Sequence, residues 1–267
     1  GGEQITSRVS PIPGPRYPTP VRTANMAKTA GILIIGSEVL SGKVVDQNSP
    51  YLVGELRALG VDVQRITTIP DDAEIIAQDV RIFAEQYDLV FTTGGVGPTH
   101  DDVTIAAVAQ AFGCDVVRHP LLEDVLRRHY GEGITAAQLR MAEMPEGGRL
   151  VGEGDLSFPV VAVRNVYIFP GIPEIVRRKF ERIREQFREQ PFILRRVFLR
   201  CDEGQIADDL HAVLDRFPDL QLGSYPILNN PEHSVILTLE SKSPEYVEHA
   251  LRFLLDRLPP PSIVRIE

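Results

Sequence analysis

The chain has 267 residues, of which 43% are apolar and 24% charged, a composition typical of a globular protein with one large or two ordinary domains. The formal net charge of −9 argues against sequence-nonspecific binding to nucleic acid. Two distant cysteines, Cys114 and Cys201, lack a metal-binding spacing and favour a reducing compartment, so we expect a cytoplasmic protein. No stretch approaches the roughly 20 apolar residues of a membrane span, so no membrane partner is expected.

The first 25 residues show no periodic apolar pattern, and Gly, Pro, Ser, Thr and Arg dominate them. They also lack the apolar core of a secretory signal. We therefore predict that residues 1–25 are a disordered leader, an expression tag or a poor targeting peptide, and we exclude them from the fold. Met26 is a candidate original start, because predicted structure begins directly after it.

Residues 30–35 form a continuous apolar run, which predicts a central parallel strand ended by Gly36. Residues 36–48 are predicted to be a loop just beyond the carboxyl end of that strand. In an open α/β sheet, ligands bind at this edge. The loop contains four polar side chains suited to a ligand site: Glu38, Lys43, Asp46 and Asn48.

Residues 48–59 and 73–86 have the pattern of helices, and residues 61–69 between them alternate as a strand does. Asn48 or Ser49 is predicted to cap the first helix. Asp71 and Asp72 open the second helix, and we interpret them as a helix start in preference to a part of a site.

The stretch from Leu89 to Thr104 combines a buried strand, a glycine-rich turn and a helix start. The helix is predicted over residues 103–112 with a glycine stop at Gly113. Glycines allow the backbone to approach a ligand, and a helix N-terminus adds unpaired N–H donors and partial positive charge. The turn contains three glycines, a threonine and two adjacent carboxylates: Gly94, Gly95, Gly97, Thr99, Asp101 and Asp102.

Two interpretations of this turn remain open. It is either a tight strand-to-helix connection in which Asp101 or Asp102 caps the helix, or a cradle for phosphate with acids that hold a metal beside it. The two consecutive acids, together with Thr104, favour the phosphate site. The turn is not a Walker A loop, because no Gly-Lys-Ser/Thr follows, and it lacks the Rossmann spacing.

A second strand, glycine turn and helix follow later in the chain. Residues 160–163 and 166–169 are predicted to form a hairpin, and residues 170–173 make a Pro-Gly-Ile-Pro turn before a helix over residues 174–190. Gly171 in this turn is a candidate for the second half of the same cleft. Residues 131–154 are predicted to be irregular apart from a helical piece near residues 136–142 and a turn at Met144-Pro145.

After residue 192 the pattern changes to strands at residues 195–199, 220–225, 235–239 and 263–266 and helices at residues 203–216 and 243–258. The resulting βαββαβ order predicts a small ferredoxin-like α+β domain. We find no catalytic cluster in it. The predicted domains are residues 26–190 and 191–267.

The two glycine turns and the first loop together resemble the molybdopterin-binding-like superfamily of MoaB, MogA and the N-terminal part of CinA. The motifs that carry this resemblance are residues 36–48, residues 93–104 and residues 169–173. Residues 163–173 and 222–226 are most similar to the N-terminal part of eukaryotic FAD synthase. The resemblance covers the chain from about residue 27 onward.

The resemblance implies an α/β fold, a three-layer α/β/α sandwich of the MoaB/MogA type, with a homo-oligomer as the expected assembly. It implies hydrolysis of a dinucleotide pyrophosphate such as FAD or ADP-ribose. The expected cofactor is a divalent metal, Mg²⁺, Mn²⁺ or Co²⁺, with K⁺ as a further candidate ion. Since 267 residues leave no room for an adenylyl-transferring or an amidase domain, FAD synthesis and deamidation are not predicted.

Pyrophosphate hydrolysis requires neutralised phosphoryl oxygens and a water aimed in line. We predict that Asp101 and Asp102, with Glu38 or Asp46, hold the metal or orient that water. Lys43 would neutralise phosphate, and Thr99, Thr104 and Asn48 would donate hydrogen bonds to it. The metal ligands expected are Asp101, Asp102 and Glu38, whose oxygen donors suit Mg²⁺ or Mn²⁺ better than zinc.

Two other functions stay open on the sequence. The chain is alternatively a non-catalytic module that binds molybdopterin or a nucleotide, because a diphosphate cradle does not itself dictate cleavage. It is also conceivable as a dimerisation scaffold for a lost catalytic partner. Retention of Glu38, Asp46, Asp101 and Asp102 argues against a dead site.

Overall fold

The structure is a computed structural model that describes residues 27–152 and 159–267. The prediction for residues 1–25 lies outside the described residues, and so does part of the segment predicted to be irregular. No helix in the described ranges is long and apolar enough to cross a membrane.

The larger part of the chain is built on eight strands and seven α-helices within the described residues. In chain order they are β1 (Thr29–Ile35), α1 (Ser37–Leu40), α2 (Asn48–Ala58), β2 (Asp62–Ile69), α3 (Ala73–Gln86), β3 (Leu89–Thr93), α4 (Thr104–Phe112), β4 (Val116–Arg118), α5 (Pro120–Tyr130), α6 (Ala136–Arg140), β5 (Glu143–Pro145), β6 (Arg149–Val151), β7 (Val160–Val163), β8 (Val166–Phe169) and α7 (Pro173–Ile183).

Six of these strands form one mixed sheet in the order β2-β1-β3-β8-β7-β6. The first four are parallel, β7 pairs antiparallel with β8, and β6 pairs antiparallel with β7. Strands β4 and β5 pair separately. The parallel strands β1, β3 and β8 therefore end at the same edge of the sheet, and their carboxyl-terminal loops meet there.

Apolar side chains alternate between the two faces of the sheet, and each face is covered by helices. Ile32 and Ile34 pack with α2 and α7 on one face, while Leu33 and Ile35 pack with α3 and α4 on the other. Phe91 lies at the centre of an aromatic cluster with Phe169, Phe180 and Phe187. Burial of each such side chain contributes about 2 kcal/mol. This arrangement confirms the predicted three-layer α/β/α sandwich.

The smaller C-terminal part contains four strands and two α-helices, again in the described residues. They are β9 (Ile193–Leu199), α8 (Ala207–Arg216), β10 (Gln221–Pro226), β11 (Val235–Ser241), α9 (Pro244–Leu255) and β12 (Ile263–Ile266). The sheet is antiparallel in the order β10-β11-β9-β12, and α8 and α9 pack on one of its faces. This confirms the predicted βαββαβ arrangement.

Several local predictions were wrong. Residues 37–40 form a helical turn in place of loop, and Met144-Pro145 belongs to strand β5 in place of a turn. The helix expected to reach residue 190 ends at Ile183 and is followed by a 3₁₀ turn, Arg184–Phe187. Neither a turn nor a short strand has a distinctive period, so pairing with distant segments decides these cases.

Arg57 at the end of α2 joins the two sheets. Its guanidinium lies 3.0 Å from Asp62 in its own domain, contacts Glu240 of β11, and stacks 3.5 Å from the centroid of the Phe192 ring. Lys242 adds a hydrogen bond to the Gly60 carbonyl. These charged and aromatic contacts connect the α/β sandwich to the C-terminal domain.

Candidate functional site

The two glycine turns meet at the carboxyl edge of the main sheet. Gly94 has φ +101°, and a Cβ on it would lie 1.9 Å from the Ile35 carbonyl oxygen, so only glycine fits there. Its N–H donates to the Phe169 carbonyl at 3.1 Å. A Cβ on Gly171 would lie 3.5 Å from the Gly94 Cα. The predicted convergence of Gly94 and Gly171 is thus seen in the structure.

Asn48 and Thr104 hold these turns in place. The Asn48 amide donates to Thr93 Oγ1 at 3.2 Å and to the Gly171 carbonyl at 2.9 Å. The Thr104 hydroxyl donates to the Gly94 carbonyl at 2.8 Å, and the Thr104 N–H donates to the Gly95 carbonyl at 3.1 Å. Both side chains are buried and paired, so they shape the cradle from beneath instead of presenting donors to a ligand.

Asp102 closes the glycine-rich turn on itself. Its Oδ2 accepts from the Thr99 N–H at 2.8 Å and from the Thr99 hydroxyl at 2.6 Å. A Cβ on Gly97 would lie 2.6 Å from the same oxygen. The expectation that Asp101 or Asp102 caps α4 was wrong: no side chain caps that helix, because Asp102 is already committed to Thr99.

Asp101 is held less tightly than Asp102: Thr99 also acts on its carboxylate, but 59% of the Asp101 side chain is exposed. Hydrogen bonding from Thr99 is the main cause that holds the pKa of Asp101 below its ordinary value, and the neighbouring His100 adds to the effect. The carboxylate is therefore ionised at neutral pH. It lines the cleft beside Gly97 and is available to a cation or a water.

Glu38 lies on the short helix α1 and lines the same cleft, and Asp71, in the loop after β2, holds that helix. Asp71 Oδ2 accepts from the Ser37 N–H at 2.8 Å, and Ser37 Oγ accepts from the Asp71 N–H at 3.3 Å. Asp72 caps α3 as predicted. Asp71, interpreted from sequence as only a helix start, also lines the cleft, so that interpretation was incomplete.

Asp46 and Lys43 are placed elsewhere. The Asp46 carboxylate accepts from the N–H groups of Asn48 at 2.8 Å and Ser49 at 3.1 Å, and from the Ser49 hydroxyl. It caps α2, so the predicted capping by Asn48 or Ser49 was wrong. Lys43 is exposed and, like Asp46, Asn48, Thr99 and Thr104, does not line the cleft.

The cleft has a volume of about 1050 Å³, at the upper end for small-molecule sites. It crosses the edge of the sheet from the start of α4, on one face, to the start of α7, on the other. The first helical layer contributes Val96, Ile105, Ala106, Val116, Leu122, His129, Tyr130, Arg140, Met141 and Glu143. The α7 side contributes Pro170, Ile172, Pro173, Ile175, Arg178, Lys179 and Arg182, together with Pro159. Val161 and Ile168 also line the cleft, from the sheet face that packs against α3 and α4.

Basic side chains line the α7 side of the cleft, whereas carboxylates line the rest of it. Lys179 donates to the Pro159 carbonyl at 2.7 Å, and burial together with Arg182 lowers its pKa to about 8. Arg140 of α6 donates to the Pro98 carbonyl at 2.8 Å and tethers the glycine-rich turn. The sequence prediction missed these residues and Tyr130, although the i, i+4 spacing of Arg178 and Arg182 was a usable signal.

Within residues 27–152 and 159–267, no group of three or more His, Cys, Asp or Glu side chains is placed to hold a metal ion. Glu38, Asp101 and Asp102 line one cleft but do not converge on a common point. Their oxygens suit Mg²⁺, which proteins commonly bind through one or two carboxylates together with substrate phosphates. The donor set thus fits a cation that binds with a phosphate ligand, not an all-protein cage.

Comparisons with known proteins show which families the two parts of the chain match. A family described as "Probable molybdopterin binding domain" matches residues 31–189, and "FAD synthase, middle domain" matches residues 191–267. A protein of Archaeoglobus fulgidus is 35% identical over 196 residues, 73% of this chain and 84% of that protein. A probable FAD synthase of Caenorhabditis elegans is 32% identical over 259 residues, 86% of this chain but 50% of that protein, so the chain spans about half the length of this relative.

Among solved structures, CinA from Thermoplasma acidophilum superposes with a TM-score of 0.56 at 29% identity. The superposition covers 60% of this chain and 98% of that chain. The shared part corresponds in extent to the α/β sandwich, and the C-terminal sheet is matched separately by the FAD synthase middle domain. The chain therefore belongs to the family of probable molybdopterin-binding domains, with a FAD synthase middle domain joined to its C-terminal side.

Proposed function

We propose that this chain hydrolyses the pyrophosphate bond of a dinucleotide such as FAD or ADP-ribose and releases AMP and the other phosphate half. One observation carries the proposal: the cleft is lined by helices of both layers and by the two glycine turns, which contact each other. A diphosphate at the turns would leave room for one substituent on each side. The similarity to a probable FAD synthase supports a nucleotide ligand.

The glycine turns supply the electrostatic cradle. Helices α4 and α7 both begin at the cleft, and a helix N-terminus presents unpaired N–H groups and partial positive charge. These donors would hold phosphoryl oxygens without requiring a lysine in the turn. The net charge of −9 does not oppose this, because a local cradle acts at short range.

In this proposal Asp101 is the carboxylate that orients the attacking water or contacts the cation, since it is ionised, exposed and beside Gly97. Glu38 contributes a second carboxylate that lines the same cleft, and Asp102 shapes the turn. A divalent metal, when bound, would neutralise charge on the phosphoryl oxygens. Mg²⁺, Mn²⁺ and Co²⁺ remain the candidates, with K⁺ as a further one.

The test is AMP release from FAD, ADP-ribose, NADH and CoA, each with EDTA, Mg²⁺, Mn²⁺ or Co²⁺. We expect metal-dependent release from FAD or ADP-ribose and at least about a hundredfold lower rate for Asp101→Ala. Asp46→Ala is a matched control, because it removes an equal charge from a loop at the same sheet edge but outside the cleft. Absence of release with every metal would contradict the hydrolase proposal.

A second candidate function is a binding module without turnover, for a molybdopterin or a nucleotide. It is favoured by the commitment of Asp102 to Thr99 and by carboxylates that do not converge. Selective binding of a pterin in the absence of AMP release would support it. The homo-oligomer also stays a prediction, to be checked by light scattering.

A further inference from the structure

We propose that Arg178 binds the second phosphate of the ligand and makes the cleft selective for diphosphates over monophosphates. This rests on the proposed function only in placing the first phosphate at the Gly94–Thr99 turn. The residue had no assigned role in the sequence prediction. Its position, its freedom from other partners and its charge support the assignment.

The position follows from helix geometry. Helix α7 starts two residues after Gly171, which contacts the first glycine turn. Ile175, Arg178 and Arg182 lie three and four residues apart, so they share one face of α7, and all three line the cleft. Long side chains on a helix lean toward its N-terminus, so we expect Arg178 to extend toward the glycine turns.

Arg178 is also the available cation on this side. Lys179 donates to the Pro159 carbonyl, Arg182 has another contact, and Arg140 on the opposite side donates to Pro98. In the described ranges, the exposed Arg178 makes no hydrogen bond or ion pair. An arginine without a partner beside an anion cradle is ready to bind phosphate bidentately.

The charges in the cleft explain why a second phosphate would need this residue. Several carboxylates line the cleft and repel an anionic ligand: Glu38, Asp71, Asp101, Asp102 and Glu143. The glycine turns offer neutral N–H donors for one phosphate. A further phosphate carries additional negative charge, and the planar guanidinium on α7 can offset it directly.

The test compares binding of ADP and AMP by isothermal titration calorimetry, with Mg²⁺ present, for the wild type, Arg178→Gln and Arg177→Gln. Arg177 is a matched control: it is adjacent on α7, but its guanidinium lies 5.4 Å from the centroid of the Tyr51 ring, outside the cleft. We expect Arg178→Gln to weaken ADP binding about tenfold and AMP binding less than twofold. Arg177→Gln should change neither.

The proposal would be overturned if Arg178→Gln weakened the binding of ADP and AMP equally, or weakened neither. It would also be overturned if the wild type bound ADP no more tightly than AMP, or bound neither nucleotide. Arg178→Lys should recover only part of the affinity for ADP, because it restores charge without the bidentate fork. Should the wild type prefer ADP through Arg178 but release no AMP from any dinucleotide, the hydrolase proposal fails while this inference stands.

Discussion

Asp46 and Asp101 lie in loops at the same edge of the sheet, yet their surroundings assign them different tasks. Asp46 accepts hydrogen bonds from two N–H groups and a hydroxyl at the start of α2, whereas Asp101 is mostly exposed to the cleft. From the sequence both were candidate catalytic carboxylates. Hydrogen-bond partners, not the type of residue, separate a helix cap from a group that can face a ligand.

Asp46→Ala should therefore lower the free energy of unfolding by about 1 kcal/mol, the usual cost of a lost cap. Asp46→Asn should restore most of it, because asparagine also caps helices. Urea unfolding of the two variants measures this difference. AMP release should stay within twofold of the wild type, and a drop comparable to that of Asp101→Ala would show that Asp46 acts in the site after all.

Lys179 should make stability depend on pH in the alkaline range. Burial lowers its pKa from 10.5 to about 8, so between these values the unfolded chain binds the proton that the folded protein has lost. The free energy of unfolding should then rise with pH, by at most about 1.4 kcal/mol per pH unit from this group. At neutral pH both states carry the proton, and the buried charge costs stability.

The measurement is urea unfolding of the wild type and Lys179→Met from pH 7 to pH 10. Groups that titrate equally in both proteins cancel in the difference. We expect the wild type to gain stability relative to Lys179→Met as the pH rises above about 8. A difference that stays constant with pH would contradict the lowered pKa.

At the scale of elements, the connection from β3 to α4 depends on backbone conformation. Gly94 has a positive φ and lies close to the Ile35 carbonyl. It therefore turns the chain after β3 and also packs the end of β3 against the end of β1. Asn48 of α2 then ties the turn to the one before α7. The cradle is therefore held by hydrogen bonds and close contacts at the ends of three neighbouring strands, β1, β3 and β8.

Gly94→Ala should destabilise the protein by on the order of 3 kcal/mol or more, because the added Cβ meets backbone that cannot move aside. Gly113→Ala is the matched control. Gly113 also has a positive φ, of +66°, but its Cβ would meet nothing within 4 Å, so only the left-handed strain of about 1 kcal/mol applies. Thermal unfolding of both variants checks the difference, and equal costs would show that the clash is relieved.

Some helices and strands could be predicted from the sequence, and others could not. The continuous apolar run at β1 and the alternation in β2 identified strands, because the backbone period alone sorts side chains between faces. The helix-start signal of α3, at Asp72, was also local and was confirmed. The short strands β5 and β6 were missed, since each depends on a partner distant in the sequence.

At the scale of the whole molecule, Arg57 couples the sandwich to the ferredoxin-like domain. It contacts Asp62, Glu240 and the Phe192 ring at once. Each contact is partly exposed and is worth little by itself. Because one side chain makes all of these contacts, removing it weakens the connection between the domains and leaves both hydrophobic cores intact.

We expect Arg57→Ala to cost about 1 kcal/mol and to broaden the calorimetric unfolding transition, as the two domains unfold less cooperatively. Arg188→Ala is the control, because Arg188 pairs with Glu185 in the same turn and is exposed. It should shift neither the midpoint nor the width of the transition. An identical transition width in Arg57→Ala and the wild type would show that Arg57 does not couple the domains.

The sequence by itself determined the α/β sandwich, the βαββαβ domain and the glycine turns around Gly94 and Gly171, because period, turn chemistry and family motifs are local properties. Only the tertiary structure decided which polar residues share the cleft. In the structure, Asn48 contacts Gly171, which is 123 residues away in the sequence. Asp71 and Arg178 line the cleft, whereas Asp46 and Lys43 lie outside it. The reason is physical: such neighbours depend on strand order and helix packing, which no local pattern encodes.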